Sequence, residues 1–332
     1  MTLVWVQTKV LVMTELAIEA RGLVKRYGEV TAINGIDLSV PVGMIFALLG
    51  PNGAGKTTTI SILTTLIQPT AGAARVAGHD VVRAADEVRR AIGVTFQDIA
   101  VDQDLSGREV LNIHGQLYRQ SSSERRRRIG ELVDLVQLND AIDRRVRTYS
   151  GGMKRRLELA RGLMTEPAIL FLDEPTQGLD PQNRVGIWGY IRDLNRTRGL
   201  SLLLTTHYMD EAEALAGRVG IVDQGRVVAD GQPEALVAAL GADVIRVRGQ
   251  GADFASVADF ASVVAKLPFV ERATTDAEGG VVMIYVDSGS RRLAEVLSVA
   301  SGKSFQVDDV TVARPSLGDV FLHHTGHALR DA

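Results

Sequence analysis

The stretch Gly50-Pro51-Asn52-Gly53-Ala54-Gly55-Lys56-Thr57 fits the pattern G-x-x-x-x-G-K-[ST]. An apolar run, residues 44–49, leads into it; a helix-compatible run, 56–67, follows and is stopped by Pro69. Strand, glycine loop and helix form the context in which this pattern cradles phosphate. The glycines let backbone N–H groups curl round an anion without Cβ clashes, and the helix N-terminus adds positive dipole at the same spot. Lys56 is placed to reach β- and γ-phosphates, and the Thr57 hydroxyl to hold Mg²⁺. The bland alternative is an ordinary glycine-rich turn before a helix.

Length and composition bound what surrounds this loop. At 332 residues the chain has room for about two domains, with the apolar content of a globular core. A net charge of −3 does not point to nucleic acid, and none is expected as a partner. The absence of cysteine rules out disulfides, cysteine metal sites and thiol catalysis, and suits a reducing compartment. No apolar run approaches the roughly 20 residues that span a bilayer. Residues 1–14 read as an extension: apolar but interrupted by Gln7 and Lys9, without a basic start or a small-residue cleavage site. Translation from Met13 and a short extra strand both remain open for it.

From 15 to about 240 short apolar strands alternate with helical stretches. Strands are expected at 17–23, 36–40, 44–49, 92–96, 168–172, 202–206 and 219–222. Near-continuous apolar runs such as Ile169-Leu170-Phe171-Leu172 suit a parallel sheet buried on both faces, so the fold class is α/β. Residues 98–150 read as a charged helical insertion. Ser106 and Glu109 make a capping-box pair ahead of Val110, Leu111, Leu117 and Tyr118, and Ile129, Leu132, Val133 and Val136 share one helix face. Residues 241–332 read as a small α+β unit of ferredoxin-like order. Its strands fall at 244–247, 270–275, 281–286 and 307–313, its helices at 259–267 and 291–300, and a last capped helix begins at Ser316 with Asp319.

Two further motifs bear chemistry. Asp173 and Glu174 end an apolar strand, where α/β sheets bind ligands. Asp173 is the candidate Mg²⁺ ligand beside Thr57, and Glu174 the candidate base or positioner of an attacking water. Ser150-Gly151-Gly152 opens a helix carrying Leu157, Leu159, Ala160 and Leu163, a second anion site or simply a cap.

In this order the motifs resemble the nucleotide-binding subunit of an ATP-binding-cassette (ABC) transporter. Tyr149-Ser150-Gly151-Gly152-Met153 resembles the family signature Leu-Ser-Gly-Gly-Gln, with the serine and both glycines matching and the flanks departing. The resemblance implies further roles. Tyr27 resembles the aromatic that stacks on adenine. Gln97, after Val94-Thr95-Phe96, resembles the Q-loop glutamine near Mg²⁺ and the membrane partner. Gly178-Leu179-Asp180 resembles the D-loop, and His207 the switch histidine near the γ-phosphate. Each has a plainer alternative: a surface aromatic, a loop amide, a capping residue. The implied nucleotide set is Tyr27, Gly50, Pro51, Asn52, Gly53, Ala54, Gly55, Lys56, Thr57, Thr58, Ser150, Gly151, Gly152 and Asp180. Glu174, His207 and Gln97 are its catalytic members, and Thr57, Gln97 and Asp173 its Mg²⁺ side.

The implied mechanism is a composite site. One cassette presents Lys56, Thr57, Gln97, Asp173, Glu174 and His207; a second copy presents Ser150 and Gly152, so that ATP joins the two. The signature variant, Arg144-Arg145-Val146-Arg147, and the tail Pro315-Ser316-Leu317-Gly318-Asp319-Val320-Phe321-Leu322 resemble daunorubicin-resistance-type ABC ATPases. Those are paired with a separate permease, implying attachment at the cytoplasmic face of a membrane and docking near Gln97 and the helical insertion. The alternatives are a soluble ABC ATPase without a transporter and an importer's ATPase. Arg125 to Arg128 are expected to be a solvated helix face rather than a nucleic-acid patch, and His323, His324 and His327 lack the carboxylate company of a metal site.

Overall fold

The computed structural model describes residues 15–98, 100–241, 243–250, 254–276, 280–301 and 306–326. The expected 1–14 extension and His327 lie outside them.

The chain builds a six-stranded sheet in the order Arg226–Gly231, Arg218–Asp223, Ile45–Leu49, Ser201–Thr206, Ile169–Asp173, Ile92–Thr95. All neighbours are parallel except the antiparallel edge strand Arg226–Gly231. Successive side chains on a strand point to opposite faces. Ile45, Ala47, Leu49, Leu170, Leu172, Leu202 and Leu204 therefore enter one core, while Phe46, Leu48, Ile169, Phe171 and Leu203 enter the other. Every residue of the three central strands is buried, as the apolar runs required.

On the second face the helix Lys56–Leu63 lies between this sheet and an antiparallel one ordered Val30–Pro41, Leu16–Tyr27, Ala71–Val76, His79–Asp80. Ala71–Val76 and His79–Asp80 escape the sequence reading. Ala-Gly-Ala-Ala-Arg-Val has little strand preference of its own and is held by pairing with Leu16–Tyr27. The helix expected over 56–67 stops at Leu63, and Thr65 turns left-handed with φ 66°.

The helical insertion contains Gly107–Leu117 and Ser122–Leu135. The capping box forms: the Ser106 hydroxyl accepts from the Glu109 N–H, and the Ser106 N–H donates to Glu109 Oε2 at 2.7 Å. Val110, Leu111, Ile129, Leu132, Val133 and Val136 are buried, but Leu117 and Tyr118 stand in solvent. Arg126 and Arg127 are solvated as expected; Arg128 is not. Its buried guanidinium donates twice to the Leu163 carbonyl, at 2.7 and 3.2 Å, satisfying an acceptor at the C-terminus of the helix Gly151–Gly162.

The last sheet is antiparallel throughout, in the order Val270–Asp276, Val281–Val286, Asp243–Gln250, Gln306–Ala313. With Phe254–Val264 and Gly289–Ser301 on one face, this is the ferredoxin-like arrangement. Its other face, through Val244, Met283 and Tyr285, joins the large core together with Leu317, Val320 and Phe321 of the helix Leu317–Thr325. Ser316 caps that helix in a capping box with Asp319, whose carboxylate also accepts from Arg246 at 2.7 Å, while the Leu317 N–H donates to Glu213 at 3.0 Å. No helix among the described residues is long and apolar enough to cross a membrane.

His114, on Gly107–Leu117, offers a pH test of the insertion. Burial, aided by the nearby Arg161 charge, lowers its pKa from 6.5 to about 4. Between those values the unfolded chain binds a proton that the folded chain refuses. Stability from this group is therefore lost as pH falls below about 6.5 and is unaffected above it. His114→Gln is expected to show a smaller drop in melting temperature from pH 7 to pH 5 than the parent; equal drops would contradict the burial account.

Candidate functional site

The phosphate loop leaves the strand Ile45–Leu49 and enters Lys56–Leu63 with Gly55 at the cap. Gly55 holds φ 105°, and a Cβ there would stand 2.6 Å from the Ala32 carbonyl. A Cβ on Gly50 would collide with the Val222 carbonyl. Both positions thus require glycine on steric grounds. No side chain caps this helix, leaving its first N–H groups aimed into the loop, the arrangement that binds anions. Lys56 is buried; its ammonium donates to the carbonyls of Gly50 at 2.8 Å and Pro51 at 3.1 Å and lies 3.4 Å from Glu174 Oε1. Burial lowers its pKa, and the Glu174 charge works against that shift.

Asp173 ends the strand Ile169–Asp173, completely enclosed. Its Oδ1 accepts from Thr205 Oγ1 at 2.5 Å and from Thr57 Oγ1 at 3.2 Å. Burial raises its pKa, opposed by those two hydroxyls. A hydroxyl and a carboxylate in contact are hard oxygen donors of the kind Mg²⁺ takes. No cluster of three His, Asp or Glu groups occurs among the described residues. This meagre donor set fits a cation that completes its shell with phosphate oxygens and water.

Glu174 sits in the left-handed region, φ 47°, which costs a non-glycine residue roughly 1–2 kcal/mol. Such strain persists where neighbours over-determine it. Here the Glu174 N–H donates to Thr205 Oγ1 at 3.0 Å, and one buried guanidinium holds the other side. Arg155 donates to the carbonyls of Phe96 at 2.7 Å, Asp173 at 3.2 Å, Glu174 at 2.5 Å and Pro175 at 2.5 Å. His207 Nδ1 stands 3.1 Å from Glu174 Oε2, without hydrogen-bond alignment.

One pocket of about 420 Å³ therefore collects Asn52, Gly53, Gly55, Lys56, Thr57, Thr58, Gln97 and Glu174. Tyr27 lies apart from that lining, half exposed at the end of Leu16–Tyr27, with the Lys25 ammonium 5.0 Å from its ring centre. Ser150, Gly151, Gly152 and Asp180 also lie outside it. Ser150 caps the helix Gly151–Gly162, and Asp180 caps Pro181–Arg198, accepting from the Asn183 N–H at 3.0 Å. These two segments pack on each other: a Cβ on Gly152 would meet Asn183 Oδ1 at 2.6 Å, and Asn183 Nδ2 donates to Asp180 Oδ2 at 2.6 Å.

Known proteins resemble this chain in sequence and in fold. The model of the ABC transporter family matches residues 33–177. The chain is 43% identical over 321 residues to the daunorubicin/doxorubicin resistance ATP-binding protein DrrA of Streptomyces peucetius, covering 95% of this chain and 94% of that protein. The chain belongs to the ABC transporter ATP-binding proteins. It is also 40% identical over 321 residues to the Nod factor export ATP-binding protein I of Paraburkholderia xenovorans strain LB400, covering 96% and 100%. A dimeric ATP-binding cassette solved in a post-hydrolysis state with ADP and Pi superposes with a TM-score of 0.59 at 26% identity, over 65% of this chain and 98% of that one. Binding and hydrolysis of ATP is the chemistry of the family to which this cassette belongs.

Three residues of the cassette escape motif reading: Arg155, Thr205 and Glu211. Lys154-Arg155-Arg156 looks like solvated charge. A signal existed, since Arg155 lies four residues before Leu159 and three after Gly152, on the helix's inward face. Arg155→Ala would remove four side-chain donors to the backbone and release the Glu174 turn. Turnover is expected to fall about thirtyfold, the equivalent of roughly 2 kcal/mol, with ATP affinity within about threefold. Arg155→Lys, lacking the planar fork, should fall between. Steady-state hydrolysis and equilibrium nucleotide binding check this; a normal rate in Arg155→Ala would remove the residue from the account.

Proposed function

We propose that the chain is the ATP-hydrolysing subunit of a drug-type exporter, acting as an ATP-joined pair of copies against a separate membrane permease. The observation that carries this reading is a split. Lys56, Thr57, Gln97 and Glu174 share one pocket, with Asp173 bonded to Thr57, whereas Ser150–Gly152 and Asp180 form a different surface of the same chain. A phosphate-binding helix start that lies outside its own chain's phosphate pocket is complete only when a second copy supplies the nucleotide.

The roles follow from the chemistry of each group. The loop N–H groups and Lys56 neutralise the β- and γ-phosphates, and Tyr27 stacks on the adenine. Thr57 and Asp173, with Gln97 beside them, are the Mg²⁺ side; the bound ion would supply charge neutralisation across the phosphate oxygens. Glu174 orients the attacking water and takes its proton, and His207 stands where it contacts the γ-phosphate. On this reading residues 15–240 are the cassette, 98–150 its helical insertion, and 241–332 an accessory unit.

A cleft of about 300 Å³ between insertion and sheet suits the permease, at the cytoplasmic face of the membrane. Leu66, Phe96 and Tyr118 give it apolar walls, and Arg89 and Arg161 give it positive charge. Ile113 and Leu117 lie exposed on the helix that forms its insertion side. Phe96 lines this cleft while Gln97 lines the phosphate pocket, so adjacent residues touch both sites. The relatives named for daunorubicin and doxorubicin resistance and for Nod factor export support an exporter, and the first two a drug as cargo.

Glu174→Gln is expected to bind ATP normally and to hydrolyse it at least about a hundredfold more slowly. Lys56→Ala should bind ATP about tenfold more weakly or worse. Near-normal turnover in the first variant, or unchanged affinity in the second, would contradict these roles. Tagged protein drawn from detergent-solubilised native membranes should bring a polytopic membrane protein in near-equal amount; a purely soluble complex would overturn the exporter assignment.

A further inference from the structure

Glu211 is a fully buried carboxylate that the nucleotide chemistry above does not use. It lies in the first turn of the helix Met209–Leu215, which begins two residues after His207. Its Oε1 accepts from Thr176 Oγ1 at 2.7 Å and from Trp188 Nε1 at 3.0 Å. Thr176 is two residues beyond Glu174. Trp188 projects from the helix Pro181–Arg198, which Asp180 caps. A single oxygen atom thus receives side chains from the segments that follow Glu174 and Asp180, and its own helix follows His207.

Its other oxygen, Oε2, is equally buried, and the Thr206 hydroxyl and the Arg184 charge also act on the carboxylate. A carboxyl so enclosed is costly, and for stability alone an apolar side chain would serve the site better. What it supplies is geometry. The Glu174 turn is strained and is held on one side by Arg155. On the other side the Thr176–Glu211 bond is a second side-chain anchor, one residue further along the run leading to Asp180.

We propose that Glu211 is a positioning residue that joins the turn after Glu174, the helix after Asp180 and the helix after His207 into one rigid body. A shift of His207 at the γ-phosphate, or of Asp180 against the facing copy, is then passed to Glu174. The inference rests on the roles proposed above for those three residues.

The test uses the full chain carrying Trp5→Phe, which leaves Trp188 as the sole tryptophan. Glu211→Ala is expected to lose at least about tenfold in turnover, with KM for ATP within about threefold of the parent. Glu211→Gln keeps an acceptor oxygen and should restore most of that loss. In the Glu174→Gln background, ATP should change Trp188 emission in the parent and in Glu211→Gln, but not in Glu211→Ala. Turnover of Glu211→Ala within about twofold of the parent would overturn the proposal, as would a Trp188 response that survives Glu211→Ala. If Glu211→Ala does not fold, Thr176→Val removes one donor with little change of shape. A lowered turnover there supports the proposal and an unchanged one overturns it. Should Glu174→Gln hydrolyse ATP normally, the underlying site reading fails, whatever Glu211 does. Should Glu174→Gln be inactive and Glu211→Ala normal, this inference fails alone.

Discussion

The Arg155 guanidinium, shut away from water, organises the nucleotide end of this protein. It starts on the helix that Ser150 caps and ends on the backbone of Phe96, Asp173, Glu174 and Pro175. Its charge is met by Glu158 at 3.2 Å, and its remaining donors go to backbone carbonyls around the nucleotide site. A buried charge pair contributes little to net stability and a great deal to geometry, because removing either partner strands the other. Through this one group the signature helix, the segment before Gln97 and the strained Glu174 turn share a single frame. The cleft at Phe96, the phosphate pocket and the Ser150–Gly152 helix start are linked for that reason.

The frame is rigid because the sheet beneath it is dry on both faces. Strict alternation along Ile45–Leu49, Ile169–Asp173 and Ser201–Thr206 feeds two cores at once, and the strand ends deliver Gly50, Asp173 and Thr206 to one edge. The C-terminal unit is tied to the same mass through the wedge of Leu317, Val320 and Phe321 and the hydrogen bond from the Leu317 N–H to Glu213. A change in packing at that wedge would reach the large core directly.

Much of this was legible in the chain. The phosphate loop reads clearly because its chemistry is local: two glycines excluded from bearing a Cβ, then a lysine and a threonine on a helix start. The capping boxes at Ser106 and Ser316 are legible for the same reason, and the C-terminal β-α-β-β-α-β order follows from plain apolar periods. The helix Pro181–Arg198 is absent from the sequence reading although its signals are local, with Asp180 as cap, Pro181 next and Gly199 after its end. What stayed hidden depends on partners far along the chain. Arg128 serves a carbonyl 35 residues away, and Arg155 reaches back 59 residues to Phe96. Both look like surface charge until the fold supplies acceptors. Glu211 is concealed likewise, since Thr176 and Trp188 reach it only after three segments converge.

The central claim is that ATP joins two copies, the phosphate pocket of one closing on the Ser150–Gly152 helix start of the other. Sedimentation velocity of the Glu174→Gln protein, with and without ATP and Mg²⁺, tests it most directly. The account predicts a monomer that becomes a dimer only when ATP is present. It also predicts that adding Gly151→Asp, which sets a carboxylate against the γ-phosphate without touching the pocket of its own chain, keeps the protein monomeric while ATP affinity is unchanged. A monomer at saturating ATP, or a dimer that ignores both nucleotide and Gly151→Asp, would contradict it.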